Sequence, residues 1–177
     1  MDIRIEKTEK AIKNAFLELR SKKALEKISV KELCELACIN KSTFYAHYAD
    51  IYALSEALEI ETVNTIINSI PTSIDYSHIN PEGFSRELCI SFISHNSIIN
   101  ILFSGNDVGR LANHMETAIK ERIFEKYPEL RSNEEYNVLL SYCIHGAHYA
   151  YLNNQHIPID RLISIIENIV RTLRPLY

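Results

Sequence analysis

The sequence predicts an all-α protein, and three observations carry that prediction. Apolar residues recur at three- and four-residue spacing along most of the chain, with no convincing strand alternation. Ser29, Asn40 and Asp50, residue types suited to helix N-termini, each stand just before such a run. Only four of the 177 residues are glycine, which suits helices joined by short connections. About nine helices are expected, with one domain over residues 1–50, another over 51–177, and a helix over 51–70 connecting them.

Taken in order, Thr8–Arg20 is amphipathic: Ala11, Ile12, Ala15, Phe16 and Leu19 share a face, and Lys7, Lys10, Lys13 and Arg20 lie mostly off it. Ser29 with Glu32 three residues later forms a capping box, and Val30, Leu33, Leu36 and Ala37 then give one apolar stripe. The stripe breaks at Cys38-Ile39-Asn40, and a second short helix, Lys41–Tyr48, carries Lys41, Ser42, Thr43, Tyr45 and His47 around Phe44. Two short helices with a tight turn form a helix-turn-helix, whose second helix can lie in a major groove of double-stranded DNA. Asp50 opens the next run, through Leu54, Leu58, Ile66 and Ile70. Pro71–Pro81 is rich in turn formers and reads as a connection. Helices follow at Phe84–His95, Ser97–Phe103, Asp107–Lys126, Asn133–Asn153 and Ile159–Leu173, separated by Ser104-Gly105-Asn106, Pro128 and His156-Ile157-Pro158.

The net charge of −4 argues against a nucleic-acid partner until its distribution is read. Residues 1–50 hold ten Lys or Arg against eight Asp or Glu; residues 51–177 hold nine against fifteen. Eight of the ten lysines lie in residues 1–41. The basic charge sits at the helix-turn-helix end, in modest excess, so few phosphate contacts per subunit are expected. No apolar run approaches the roughly 20 residues a membrane span needs. The charged start MDIRIEKTEK lacks a signal peptide's apolar core, so a cytoplasmic protein is expected. Cys34 and Cys38 are one turn apart, but no further paired ligands follow, so they read as helix packing rather than as a metal site. No disulfide among Cys34, Cys38, Cys89 and Cys143 is expected in that compartment.

Three helices and a longer fourth resemble the TetR/AcrR family of bacterial transcriptional regulators. The resemblance rests on Ala11, Ala15 and Phe16, on Ile28-Ser29-Val30, and on Lys41-Ser42-Thr43-Phe44-Tyr45-Ala46-His47-Tyr48, and it covers roughly residues 1–60. Cys38 stands where the family usually has Gly, and Ile51 where it often has a phosphate-contacting Lys. The family implies a helix-turn-helix DNA-binding domain, then a helical domain for effector binding and dimerisation.

DNA contact is assigned to Ser29, Lys41, Ser42, Thr43, Tyr45, His47 and Tyr48. Lys41, Ser42 and Thr43 hold the groove-reading end of their helix, Phe44 is core, and Tyr48 is either contact or core. In the last two helices apolar residues span more than one face, so one side packs within the subunit and the other on a second copy. The homodimer face is assigned to Tyr136, Leu140, Ala147, Tyr151, Leu162, Ile166, Ile169 and Leu173, with Gly146 and Ala147 permitting close approach. The family also implies a small-molecule effector, with His95, His114, Tyr142, His145, His148 and Tyr149 as pocket residues. His145 and His148 share a face, yet no pattern supplies further metal ligands, and a hydrogen-bonded structural or surface role is the favoured reading for each His. No glycine-rich phosphate loop or nucleophile elbow is present, so neither catalysis nor a cofactor is expected. The expectation is a dimeric, sequence-specific regulator of a palindromic operator, a repressor released by its effector. The alternative is a TetR-like interaction protein with weak or no DNA binding that acts through a protein partner.

Overall fold

Three- and four-residue apolar spacing resolves into helices throughout a computed structural model that describes residues 3–70, 81–104 and 108–173. Those residues form nine α-helices and no strand. The helices are α1 (Ile3–Arg20), α2 (Val30–Leu36), α3 (Lys41–His47), α4 (Ile51–Asn68), α5 (Pro81–Ser94), α6 (Asn96–Leu102), α7 (Val108–Lys126), α8 (Glu134–Asn153) and α9 (Ile159–Leu173). Short 3-10 turns occupy Leu25–Lys27 and Pro128–Ser132.

Helix α1 starts at Ile3, five residues before the expected start at Thr8. Its extra turn, Arg4–Lys7, is exposed and has no core face to betray it in the sequence. Pro81, read as part of a connection, instead opens α5, where its missing amide is no loss. The rest of the Pro71–Pro81 connection lies outside the described residues, as do Gly105, Asn106 and the expected helix start at Asp107. Among the described residues no helix is long and apolar enough to cross a membrane.

The chain divides into two compact units. The first comprises Met1–Thr62 with Ser97–Val108, and the second Val63–Asn96 with Gly109–Tyr177. In the first, α1 packs on α2 and α2 on α3, with Ile12, Phe16, Leu33 and Phe44 fully buried. Arg20, also buried, closes the end of α1: its guanidinium donates to the carbonyls of Lys23 (3.4 Å), Leu102 (3.5 Å) and Ser104 (3.2 Å). In the second unit, α9 packs along α5 and α8, burying Leu162, Ile163, Ile166 and Val170.

Candidate functional site

Helix α2 starts where Ser29 Oγ accepts the Glu32 amide at 3.2 Å. The Glu32 carboxylate pairs with Lys23, a cation that rewards it more than the Ser29 amide of a full capping box. At the other end Cys38 adopts φ 55°, the one positive φ among the described non-glycine residues. The amide of Ile39 reaches the Cys34 carbonyl (3.0 Å) and that of Cys38 the Glu35 carbonyl (3.3 Å). These two bonds make a Schellman motif, with cysteine in its left-handed position.

Asn40 caps α3 and gathers its first turn. Its Oδ1 accepts from the Thr43 amide (3.1 Å), the Ser42 hydroxyl (2.8 Å) and the Thr43 hydroxyl (2.7 Å). Both hydroxyl protons are engaged, so Ser42 and Thr43 have lone pairs left to offer. Lys41, Ser42 and Tyr45 are exposed, Tyr45 by 56%, whereas Thr43 and His47 are half-buried. Phe44 is fully buried, edge-on to Tyr45 at 5.5 Å.

Tyr48 has a holding role. It is half-buried, and its hydroxyl donates to the Glu9 carboxylate of α1. Burial, then the Glu9 charge, pushes the phenol above its ordinary range. Beside it Lys13 bridges Glu9 (2.8 Å) and Glu61 (2.6 Å). Burial alone would lower the Lys13 ammonium, but the two carboxylates prevail and raise it. Thus the end of α3 is braced on α1, and α1 in turn is tied to α4. Asp50 caps α4 by accepting the Ala53 amide at 2.8 Å, and Ile51 is buried as core.

Of the eight N-terminal lysines, Lys13, Lys22, Lys23 and Lys31 are held in ion pairs. Lys7, Lys10, Lys27 and Lys41 form none among the described residues.

In the second unit the residues assigned to a pocket do not converge. His95 Nδ1 lies against the Ser91 carbonyl at 2.7 Å, and Tyr142 and Tyr149 point outward, 65% and 55% exposed. His145 Nε2 meets Glu116 Oε2 at 2.8 Å. The other Glu116 oxygen takes Lys120 (2.7 Å) and the Ser141 hydroxyl (2.5 Å). Burial would raise this carboxyl, but the Lys120, Ser141 and His145 hydrogen bonds bring it down to about 2.

Of that set only His148 lines the cavity walled by α5, α7, α8 and α9, a space of about 60 Å³. Its wall is almost wholly apolar, with Leu88, Phe92, Met115, Ile144, Leu162 and Ile166 prominent. Burial pushes the Cys89 thiol on the wall up to about 11, which keeps it neutral. His148 Nδ1 is buried without a hydrogen-bond partner. Burial, and next the neighbouring His145, lower the His148 imidazole. His114 is half-buried and does not line the cavity.

Of the residues assigned to a dimer face, Tyr136, Leu140, Leu162 and Ile166 are buried within the chain. Ala147, Tyr151 and Leu173 are half-buried, and Ile169 is exposed. The outward stripe of α8 is instead Val138, Tyr142, Gly146 and Tyr149, at spacings of four, four and three. Nothing lies within 4 Å of where a Cβ on Gly146 would stand.

Sequence reasoning passed over Glu116 and the α5 wall of the cavity. The Glu116–Lys120 spacing of four was the signal available for the first, and Leu88, Phe92 and their helical neighbours for the second. No protein-family model matches the chain, and no curated protein matches it.

Proposed function

We propose that the chain is a dimeric, sequence-reading DNA-binding regulator of the TetR/AcrR type, a repressor released by a small effector. One observation carries this reading most: α3 offers Lys41, Ser42 and Tyr45 outward from a helix fixed at both ends. A three-residue cap and a phenol–carboxylate bond hold a two-turn helix that would be unstable alone. A rigid, short helix with a cation and lone pairs at its N-terminal end suits base-edge and phosphate contact. Two copies reading successive major grooves need a symmetric dimer, and the exposed stripe Val138, Tyr142 and Tyr149 on α8 is the face proposed for it. An effector that prefers one conformation of that dimer would shift the population away from the operator-binding spacing.

A second reading has its own support. Half of the N-terminal lysines are neutralised, and Ile51 is core where a phosphate-contacting Lys is often found. These features favour a regulator that acts through a protein partner. Selection from a random duplex library with the purified chain, at two salt concentrations, separates the two. A palindrome whose affinity falls with salt supports the DNA-reading regulator. Recovery of no motif refutes it and leaves the partner-dependent reading.

A further inference from the structure

His148 is packed as a neutral ring. It stands edge-on to Phe92 of α5 (6.1 Å, 69°) and to Tyr149 of its own helix (6.0 Å, 68°), and it lines the cavity between α5, α7, α8 and α9. Its Nδ1 is buried and has no hydrogen-bond partner. A neutral imidazole tolerates that position, because its single proton can sit on Nε2 and leave Nδ1 bare. An imidazolium carries a proton on both nitrogens. The Nδ1–H would then have no acceptor, and the charge would lie against an apolar wall.

The cavity wall offers that charge no counter-ion. Among the described residues no Lys, Arg, Asp or Glu lines it. The titratable group that α5 brings to the wall is the Cys89 thiol, held neutral by burial, and α7 and α9 bring none. On α8 the titratable neighbours are His145, Tyr149 and Tyr151. Glu116, next in the chain to the α7 wall residue Met115, is taken up by His145, Lys120 and Ser141.

We propose that His148 is an acid-operated latch: when its ring takes up a proton, α8 parts from α5 and the apolar cavity opens to solvent. The device goes beyond the regulator proposed above and operates with or without DNA. Burial, and next His145, make the packed ring bind its proton more weakly than the opened one, which is solvated and titrates near the ordinary 6.5. The closed form is therefore fully favoured above pH 6.5, and it loses ground as pH falls from there to the lower midpoint of the packed ring.

The test follows the open fraction of the full-length protein between about pH 7.5 and 5 with anilinonaphthalene sulfonate, a dye that brightens on exposed apolar surface. Dye fluorescence should rise below pH 6.5, with the open fraction growing by up to about tenfold per pH unit, the limit for one proton. His148→Phe, which keeps an apolar ring and removes the proton site, should abolish the rise, with His148→Leu as a second variant should the first fail to fold. His145→Gln should keep it, because the His145 ring has the Glu116 carboxylate to share its proton and is not the latch. In ring-proton NMR of the wild type, His148 should titrate below 6.5. No rise in the wild type, an undiminished rise in the folded His148 variants, loss of the rise in His145→Gln, or a His148 midpoint at or above 6.5 overturns the proposal. Duplex selection is scored separately. An acid response without a selected palindrome leaves the latch standing and removes the regulator, and a palindrome without the response does the reverse.

Discussion

Replacing Cys38 by Gly should stabilise this protein, and the turn geometry sets the size of the effect. Cys38 holds φ 55° in the Schellman turn that ends α2. For a residue with a Cβ that conformation costs about 1–2 kcal/mol. Glycine removes the cost but brings about 0.5–1 kcal/mol of extra backbone entropy to be lost on folding. The thiol is exposed, so its removal opens no cavity, and both turn hydrogen bonds come from backbone amides that remain. The balance is a gain of about 0.5–1 kcal/mol, which for a chain of this length raises Tm by about 1–4 °C. Thermal melts of wild type, Cys38→Gly and Cys38→Ala make the comparison. Alanine keeps the Cβ and should stay within about 0.5 kcal/mol of wild type. A glycine variant that melts no higher than the alanine variant would refute the argument that strain is stored here.

Three further outcomes are expected. Lys41→Ala should lower the salt dependence of operator binding by about one counterion per subunit while circular dichroism stays unchanged; an unaltered slope removes Lys41 from the phosphate contacts. The Glu116 carboxyl sits at about 2, below its ordinary 4.5, so its contribution is whole above pH 4.5 and lost as pH falls through 2. Its ligands make that contribution about 2–3 kcal/mol at neutral pH, so Glu116→Gln should have a lower urea midpoint at pH 7 and match wild type near pH 2; a gap that persists in acid contradicts the assignment. Gly146→Glu meets open space within the chain and improves helix propensity by about 0.5–1 kcal/mol, so the monomer should fold. Sedimentation should nevertheless show the variant shifted from dimer to monomer, and a variant that remains dimeric moves the interface away from α8.

What the sequence disclosed was mostly local. Ser29, Asn40 and Asp50 act on amides three residues away, so their caps can be read from spacing alone. Cys38 stood out only against the resemblance, because the residue usual at that place is Gly, which takes the left-handed conformation without a Cβ penalty. The first turn of α1 was hidden because exposed helix carries no apolar stripe. The outward side of α8 was hidden for the opposite reason. With Tyr136, Leu139, Val138 and Tyr142 spread around its girth, periodicity cannot say whether Tyr136 or Tyr142 turns inward. The Glu116–Ser141–His145 cluster joins residues 25 and 29 positions apart, a separation for which one sequence holds no pattern. Tyr48 illustrates the same limit, since its phenol turns to Glu9 of α1 and only the packed helices reveal that choice.

The segment Ser97–Val108 belongs to the first unit although α5 and the end of α4 precede it in the chain. It brings buried Ile99, Leu102 and Phe103, and Arg20 holds its carbonyls at Leu102 and Ser104. A ribosome therefore releases the first 62 residues well before that unit can be completed. The 46 residues from 63 to 108 take roughly 2 to 9 seconds to make at about 5–20 residues per second. Throughout that interval Arg20 has its own neighbour Lys23 but no α6 to clasp, and the nascent first unit waits on a piece of chain not yet released.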